Sequence, residues 1–276
     1  MSSQSLQTST ISEKSALPFG AWFVAEHRIR TMGKWITSII AHGLGNPVLY
    51  LVSIGLGVGS LVDKNLGANA IDGVGYLTFL APALLATAAI QGAMDETSFP
   101  TLEGFTWEKT FFGMNSTVLT GRQISAGVLI ASFVRCVITV VLYAIILVAF
   151  GAVTLAAIPG LILASIFAGM AMGSAMLATA SFIKEDDGFF AIVGRFIIAP
   201  MFMFSGTFYP IETLPIYLQW VGWISPLWHA TDLGRALSYG HVVPPLMMAA
   251  HYLYLGVIFG VTYFLAARQF ARRLSL

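Results

Sequence analysis

The sequence predicts an all-α membrane protein with six transmembrane helices and both termini in the cytoplasm. Apolar residues make up 57% of the 276 residues and charged residues only 10%, whereas an ordinary soluble domain has roughly 25% charged residues. Several uncharged runs reach the about 20 residues that a helix needs to cross a bilayer. Lysines and arginines are concentrated in every second connection between these runs. Loops on the cytoplasmic side of a membrane carry such an excess of basic residues. Composition, run length and charge bias therefore agree on a polytopic chain.

Six apolar segments are the predicted spans, and they lie near 35–59, 74–94, 123–150, 158–182, 189–208 and 246–267. The uncharged stretch from Cys136 to Phe182 is too long for one crossing, and Pro159 lies in the turn that divides it into the third and fourth spans. The third span encloses Arg135, and Arg195 lies near the start of the fifth.

The two ends of the chain are expected on the cytoplasmic side. Residues 1–16 are rich in Ser and Thr and predict a disordered tail, while residues 268–276 form a basic tail. Between the first tail and the first span, residues 17–34 predict an amphipathic helix lying in the membrane surface. Its apolar residues recur at helical spacing, and they are Trp22, Ala25, Ile29 and Met32.

Residues 209–245 are predicted to form an extracellular re-entrant helical hairpin before the last span. Part of this segment is uncharged, yet it contains Pro215, Pro226 and three tryptophans. Proline costs about 3 kcal/mol inside a helix, and tryptophan favours the membrane interface. With six crossings, eleven basic residues fall on one side of the membrane against Lys64 and Arg235 on the other. A seventh crossing would place one basic end outside, which the charge rule disfavours.

Several classes of function are disfavoured by what the sequence contains. A formal net charge of +1 does not suit a nucleic-acid partner. The one Gly-Lys pair, Gly33-Lys34, lacks the rest of the phosphate-binding loop of ATPases. The single cysteine and the five histidines show no metal-ligand spacing. The predicted spans lack Asp and Glu, which ion-coupled transporters use at membrane depth. We therefore expect no catalytic site, no metal and no cofactor bound by this chain.

From Ser205 the chain reads SGTFYPIETLPIYLQWVGWISPLWHATDLGRAL. This segment resembles the C-terminal signature of the ABC-2 family of exporter permeases, in particular the branch with the nodulation lipo-oligosaccharide exporter and the actinobacterial drug exporters. The resemblance implies an extracellular gate segment with the matching residues Ser205, Gly206, Tyr209, Pro210, Leu214, Pro215, Pro226 and Arg235. It also implies two permease subunits resting on two cytoplasmic ATP-binding cassette subunits, which hold ATP and Mg.

The loop 95–122 between the second and third spans is the expected contact with the ATPase. Its segment Trp107-Glu108-Lys109-Thr110-Phe111 resembles the aromatic-Glu-Lys-Thr-Phe segment of the family, although Val118-Leu119-Thr120 departs from the Thr-Pro turn of many relatives. The resemblance implies a set of coupling residues, Glu103, Trp107, Glu108, Lys109, Phe111 and Phe112. The three aromatic side chains would enter an apolar groove, while the two glutamates meet basic residues at its rim. An ordinary solvated loop would also explain the charges.

Four polar residues on the spans are candidates for lining a transport pathway: His42, Asn46, Gln91 and Arg135. Polar side chains at membrane depth face protein or water rather than lipid. Hydrogen bonds between packed helices are the alternative explanation. Arg135 needs an anionic partner or water, and a lipid headgroup or a substrate phosphate would serve.

The expected function is that of the permease subunit of an ATP-driven exporter in the bacterial plasma membrane. It would move an amphipathic drug, lipid or glycolipid outward, in contact with membrane lipid, with energy from a separate ATPase. Two other functions stay open, a non-catalytic scaffold subunit of a membrane complex and a membrane-embedded lipid-modifying enzyme. The enzyme would need a convergent His/Asp/Ser site.

Overall fold

A computed structural model of the chain describes residues 17–67, 71–185 and 188–275, without the side chains of His42 and Leu66. The predicted disordered tail, residues 1–16, lies outside the described residues. The α-helices are α1 Gly20–Gly33, α2 Ile36–Tyr50, α3 Gly59–Leu66, α4 Tyr76–Thr97, α5 Phe99–Phe105, α6 Thr110–Asn115, α7 Gly121–Ala149, α8 Ile158–Phe182, α9 Phe189–Val193, α10 Ala199–Phe204, α11 Ile216–Ile224, α12 Pro226–Tyr239 and α13 Pro245–Leu274. Two π-helical segments, Leu51–Val58 and Gly194–Ile198, join α2 to α3 and α9 to α10.

Five helical stretches of the described residues are long and apolar enough to cross a membrane: Ile36–Asn65, Tyr76–Phe105, Gly121–Ala149, Leu155–Phe182 and Pro245–Leu274. They coincide with five of the six predicted spans, so the predicted class of all-α membrane protein is confirmed. The remaining predicted span, 189–208, is the shorter apolar helix Phe189–Phe204. At 1.5 Å per residue it measures about 24 Å, below the about 30 Å of hydrocarbon. It ends early because the chain turns at Gly206, which has a positive φ of 71°.

Helix α4 is the centre of the bundle, with 16 of its 22 residues buried. It packs against α7, α8 and α12. Small residues let these helices approach closely: a Cβ built on Gly169 of α8 would lie 2.8 Å from the carbonyl oxygen of Ala89. Close backbone approach through small residues is a common way to pack helices in lipid.

Three predicted boundaries differ from the structure. The first span was expected to end at Gly59, but its helical run continues to Asn65. The second span was expected to end at Met94, but α4 continues through Asp95 and Glu96 to Thr97, so its last turn carries two carboxylates. The predicted basic tail is also helical, because α13 continues to Leu274 and buries both Phe270 and Leu274. In α13, Phe270 and Leu274 recur at helical spacing among the charged positions, which a search for uncharged runs alone misses.

The end of α13 is tied to the end of α8 by an arginine. Arg273 donates to the carbonyl oxygens of Ser181 at 3.0 Å and of Ile183 at 2.6 Å. A cation beside the last carbonyls of a helix satisfies groups that have no partner within the helix. We call this end of the bundle the α5–α6 end. It consists of the C-terminal ends of α4, α8 and α13 together with α5 and α6.

Helix α1 lies within the predicted amphipathic segment and packs along α7. Ala25 and Met32, expected on its apolar face, are buried, whereas Trp22 is 52% exposed. Arg28 on α1 forms a 2.7 Å ion pair with Glu96 at the end of α4. Part of the apolar face of α1 therefore meets protein, and the ion pair fixes the helix to the α5–α6 end.

Candidate functional site

A cavity of about 680 Å³ lies between α2, α4, α7 and the helix formed by α9 and α10. Its walls combine aromatic and small apolar side chains with a few polar ones. Lining residues include Trp35, Asn46, Tyr50, Ala88, Gln91, Asp95, Arg135, Thr139, Tyr143 and Phe202. Ligand cavities of several hundred Å³ are commonly apolar with a few polar groups that orient the ligand. The cavity has that composition.

The polar groups of this cavity meet at Asp95. Gln91, one turn earlier on α4, donates its Nε2 to Oδ1 of Asp95 at 2.7 Å. Arg135 from α7 donates its Nη2 to Oδ2 of the same carboxylate at 2.9 Å. The anionic partner that we expected from a lipid or a substrate is therefore this carboxylate of the chain itself. The Nε of Arg135 is buried and has no hydrogen-bond partner among the described residues.

Three of the four predicted pathway residues line the cavity, namely Asn46, Gln91 and Arg135. The side chain of the fourth, His42, lies outside the described residues. The sequence did not point to the aromatic wall, where the rings of Tyr50 and Phe202 lie 5.9 Å apart. These aromatic residues sit in apolar runs, where nothing distinguishes a cavity wall from a lipid-facing surface.

The predicted coupling loop contains the two short helices α5 and α6, and its aromatic residues divide into two groups. Phe111 is fully buried, with its ring centroid 4.9 Å from that of Phe105 and 5.4 Å from that of Phe270 on α13. Gly104 makes room for it, because a Cβ there would lie 2.6 Å from the Phe111 ring. The prediction that Phe111 enters a groove on the ATPase is therefore wrong: the ring is part of the core.

The other predicted coupling residues remain on the surface. Trp107 is 54% exposed and Phe112 is 39% exposed, and Glu108 and Lys109 between them are exposed as well. The ring of Trp107 stacks obliquely on Phe99 at 5.3 Å. Glu103, by contrast, is half-buried. The exposed part of the predicted set thus forms one short patch, residues 107–112 without Phe111, which we call the α5–α6 patch.

The predicted gate residues build the hairpin of α11 and α12. Buried Arg235 donates to the carbonyl oxygen of Gly206 at 2.6 Å, and its guanidinium lies 3.7 Å from the ring centre of Phe79 on α4. Ser205 bonds Ser225, which caps α12 at 3.2 Å.

The remaining signature residues set the turns of the hairpin. Tyr209 donates its hydroxyl to the carbonyl oxygen of Met203 at 2.8 Å. Pro210 precedes the 3₁₀ turn Ile211–Thr213, Pro215 precedes α11, and Pro226 opens α12. The carbonyl oxygen of Leu214 accepts the side chain of Gln219 at 2.8 Å. Proline suits each of these helix starts because the first N–H groups of a helix need no intrahelical partner.

Sequence reasoning missed a cluster of histidines and aspartates beside the hairpin. Nδ1 of His229 on α12 lies 2.7 Å from Nδ1 of His251 on α13, and Nε2 of His251 lies 2.9 Å from Oδ2 of Asp232. His241 bridges onward, 3.4 Å from Asp232 and 2.8 Å from Asp72. His229 and Asp232 lie one turn apart on α12, but His251 is on α13 and Asp72 is in a distant loop, so sequence spacing did not reveal the whole cluster. Within the described residues, no group of three such side chains is arranged to hold a metal ion.

Comparison with protein families identifies the family to which the chain belongs. The sequence profile described as ABC-2 type transporter matches residues 30–239. The chain belongs to the ABC-2 transporter permease family. The matched residues include those that line the cavity, helices α5 and α6, and the hairpin up to Tyr239. The match therefore confirms the family resemblance indicated by residues 205–237.

Curated relatives of this ABC-2 chain carry the name nodulation protein J. The protein of that name from Rhizobium leguminosarum bv. viciae is 29% identical over 253 residues, covering 87% of this chain and 90% of the relative. The one from Rhizobium meliloti (strain 1021) is 27% identical over 280 residues, covering 94% and 97%. A third, from Sinorhizobium fredii (strain NBRC 101917 / NGR234), is 27% identical over 265 residues. The family and the long apolar helices confirm the predicted location: the chain is a multi-pass protein of the bacterial plasma membrane.

Proposed function

We propose that this chain is the permease subunit of an ATP-driven exporter that moves an amphipathic molecule outward. In this proposal a second permease subunit, of the same or a homologous chain, completes the pathway, and two cytoplasmic ATP-binding cassette subunits supply the energy. The observation that carries the proposal is the cavity between α2, α4, α7 and α9–α10, found in a chain of the ABC-2 family.

The chemistry of the cavity favours a substrate with one polar and one apolar part. Asn46, Gln91, Asp95 and Arg135 supply its polar groups, while Tyr50 and Phe202 supply aromatic wall. An amphipathic drug, a lipid or a glycolipid all have this division. Because Asp95 already neutralises Arg135, the site does not demand an anion.

The charge pattern supports an orientation with both termini in the cytoplasm, six crossings and the hairpin outside. The helix Phe189–Phe204 is then the fifth crossing, and its short length places its hairpin end below the far membrane surface. Impermeant maleimide should label a cysteine at Gly240 from outside intact cells, and should not label one at Gly113, with Cys136 replaced in both. A Cβ meets nothing within 4 Å at either glycine. External labelling at Gly113 would reverse the orientation.

A lipid-modifying enzyme is supported less well by the same residues. The histidine cluster of the hairpin has the residue types that such an enzyme would use, but its inner end is the carbonyl oxygen of Trp223, 3.0 Å from Nε2 of His229. A carbonyl oxygen is not a nucleophile that a histidine can activate. The contacts of this cluster hold helices together.

Filling the cavity is the direct test of the transport proposal. Ala88 lines the cavity on α4 and is half-buried, so Ala88→Trp places a large ring where substrate would lie. We expect export, measured as efflux of fluorescent amphipathic probes from cells that also contain the partner ATPase, to fall at least tenfold at unchanged membrane abundance. Van der Waals exclusion is the reason, since a filled cavity admits no ligand.

The matched control adds the same ring on an outward surface. Val257 on α13 is 53% exposed, and Val257→Trp should leave both abundance and efflux unchanged. Wild-type efflux by Ala88→Trp would show that this cavity is not the pathway, and the proposal would fail for this site.

A further inference from the structure

We propose that a single bound proton, held between His251 and Asp232, latches the hairpin onto the last helix. The proposal rests on the hydrogen-bond requirements of three buried or half-buried side chains and does not depend on the transport function. The family resemblance gives these residues no role, and they do not form a metal site.

The contacts of His229 fix the first proton. Its Nε2 lies 3.0 Å from the carbonyl oxygen of Trp223. A carbonyl oxygen only accepts, so Nε2 must carry a hydrogen. Burial lowers the pKa of His229 to about 4, so near neutral pH its ring is neutral and its Nδ1 is a bare acceptor.

The next two contacts need one proton each. Nδ1 of His229 faces Nδ1 of His251 at 2.7 Å, and Nε2 of His251 faces Oδ2 of Asp232 at 2.9 Å. Two bare lone pairs would repel at these distances. Three contacts therefore require three protons, whereas two neutral imidazoles and an ionised carboxylate supply only two.

The group therefore holds one proton more than its ordinary ionisation at pH 7 provides. With His229 neutral, His251 donates from Nδ1, and the extra proton lies between its Nε2 and Asp232. The pair is then either an imidazolium with a carboxylate or a neutral imidazole with a carboxylic acid. His251 is fully buried and the Asp232 side chain is 17% exposed, so the pair meets mostly away from solvent.

The surroundings contain several other titratable groups, and they do not replace the proton. Facing groups from the packed elements are Tyr239 and Arg235 on α12, Tyr254 on α13, His241 and Asp72 in loops, Glu212 near α11 and Tyr76 on α4. Helix α8, which packs against α12 and α13, has no titratable side chain. Arg235 donates to Gly206 and lies against the Phe79 ring, and its charge also acts on Asp232 and Asp72. His241 and Asp72, each partly exposed, connect Asp232 to solvent and give the proton a route of exchange.

The contacts join three helices at one point. His229 belongs to α12 and bonds a carbonyl of α11, while His251 belongs to α13. Tyr254, one turn after His251, stacks on the His229 ring at 3.9 Å and donates its hydroxyl to Ile224 of α11. Loss of the proton would leave His251 with one N–H for two contacts, so either the contact with His229 or the contact with Asp232 would be lost and the attachment of the hairpin to α13 would weaken.

The pH dependence follows from where the proton binds. Free histidine and aspartate have pKa values near 6.5 and 3.9, so above about pH 7 the unfolded chain does not bind this proton while the folded chain does. Because the folded contacts require the proton, the stability linked to it is complete below about pH 6.5 and is lost at the alkaline pH where the folded chain releases it. Within that range the unfolding equilibrium shifts by up to about tenfold per pH unit.

Asp232→Asn is the deciding variant. An asparagine amide donates Nδ2–H to a neutral His251 and keeps an oxygen toward His241, so every contact is satisfied without the extra proton. For the full-length chain in lipid nanodiscs, we expect the wild-type melting temperature to fall by several degrees between pH 7 and 9. Asp232→Asn should fall by clearly less over the same range, and Asp232→Ala should melt lower at every pH. Parallel curves for wild type and Asp232→Asn would overturn the proposal.

A measurement on the wild type keeps the test independent of variant folding. Solid-state ¹⁵N NMR of histidine-labelled chain at pH 8 should show one imidazolium, or infrared spectroscopy should show one protonated carboxyl that Asp232→Asn removes. Five neutral imidazoles together with no protonated carboxyl would also overturn it.

Discussion

Exposed aromatic residues occur at both ends of the bundle, in two different chemical settings. At the hairpin end, Tyr217, Trp220 and Trp223 are 70%, 55% and 45% exposed on α11, a helix without a charged residue. At the α5–α6 end, Trp107 and Phe112 are exposed beside Glu108 and Lys109. Tryptophan without charges suits the membrane interface, whereas aromatic residues rimmed by charges are typical of protein interfaces. We therefore expect lipid at the first surface and a protein partner at the second.

The interiors of the two ends differ as well. The hairpin end is joined by hydrogen bonds between His229, His251 and Asp232. The α5–α6 end is joined by the packed rings of Phe105 and Phe111 with Phe270 of α13. Hydrogen bonds to titratable groups depend on pH, and aromatic packing does not. The contacts of His229, His251 and Asp232 should therefore respond to pH, whereas the packing of Phe105, Phe111 and Phe270 should not.

The largest effect expected at the α5–α6 end is a loss of stability in Phe111→Ala. Removing a fully buried phenylalanine costs about 3–5 kcal/mol through lost burial and the cavity left behind. Protein abundance in the membrane and the melting temperature should both drop. Phe112→Ala, next in sequence and partly exposed, is the matched control and should change stability by less than about 1 kcal/mol. Equal effects of the two would contradict the division between core and surface.

A smaller effect, on binding alone, is expected for Trp107→Ala. Exposed aromatic anchors contribute a large part of the energy of a protein interface, so co-purification of the partner ATPase should weaken about tenfold while abundance stays normal. Trp223→Ala removes the same side chain from the uncharged surface of the hairpin and should leave ATPase binding unchanged. If Trp107→Ala binds and transports as wild type, the α5–α6 patch is not the coupling surface.

The smallest effect is expected for the neighbouring charge. Glu108 is exposed, and rim charges mainly alter the rate of encounter. Glu108→Lys should slow ATPase association a few-fold at low salt, with the difference vanishing at high salt as screening increases. An effect that persists at high salt would place Glu108 inside the interface instead of at its rim.

Much of the site could be predicted from sequence where one element carries the signal. The hairpin signature placed Arg235 and its prolines, and polar residues in apolar spans placed Asn46, Gln91 and Arg135, all of which line the cavity. The errors arose where the burial of a side chain decides its role. Phe111 and Phe112 are the same residue type at adjacent positions of α6. Adjacent side chains of an α-helix point about 100° apart, so one ring lies in the core and the other on the surface.

By itself, the sequence determined the membrane class, the family and five of the six spans that it predicts, because apolar run length and local turn residues are properties of single segments. Only the tertiary structure decided which groups meet: Asp95 with Arg135, Phe111 with Phe270, and His229 with His251. These partners are separated by many residues and lie on different helices. Their contact depends on how the helices pack, and helix packing in lipid depends on close shape complementarity, which a single sequence does not display.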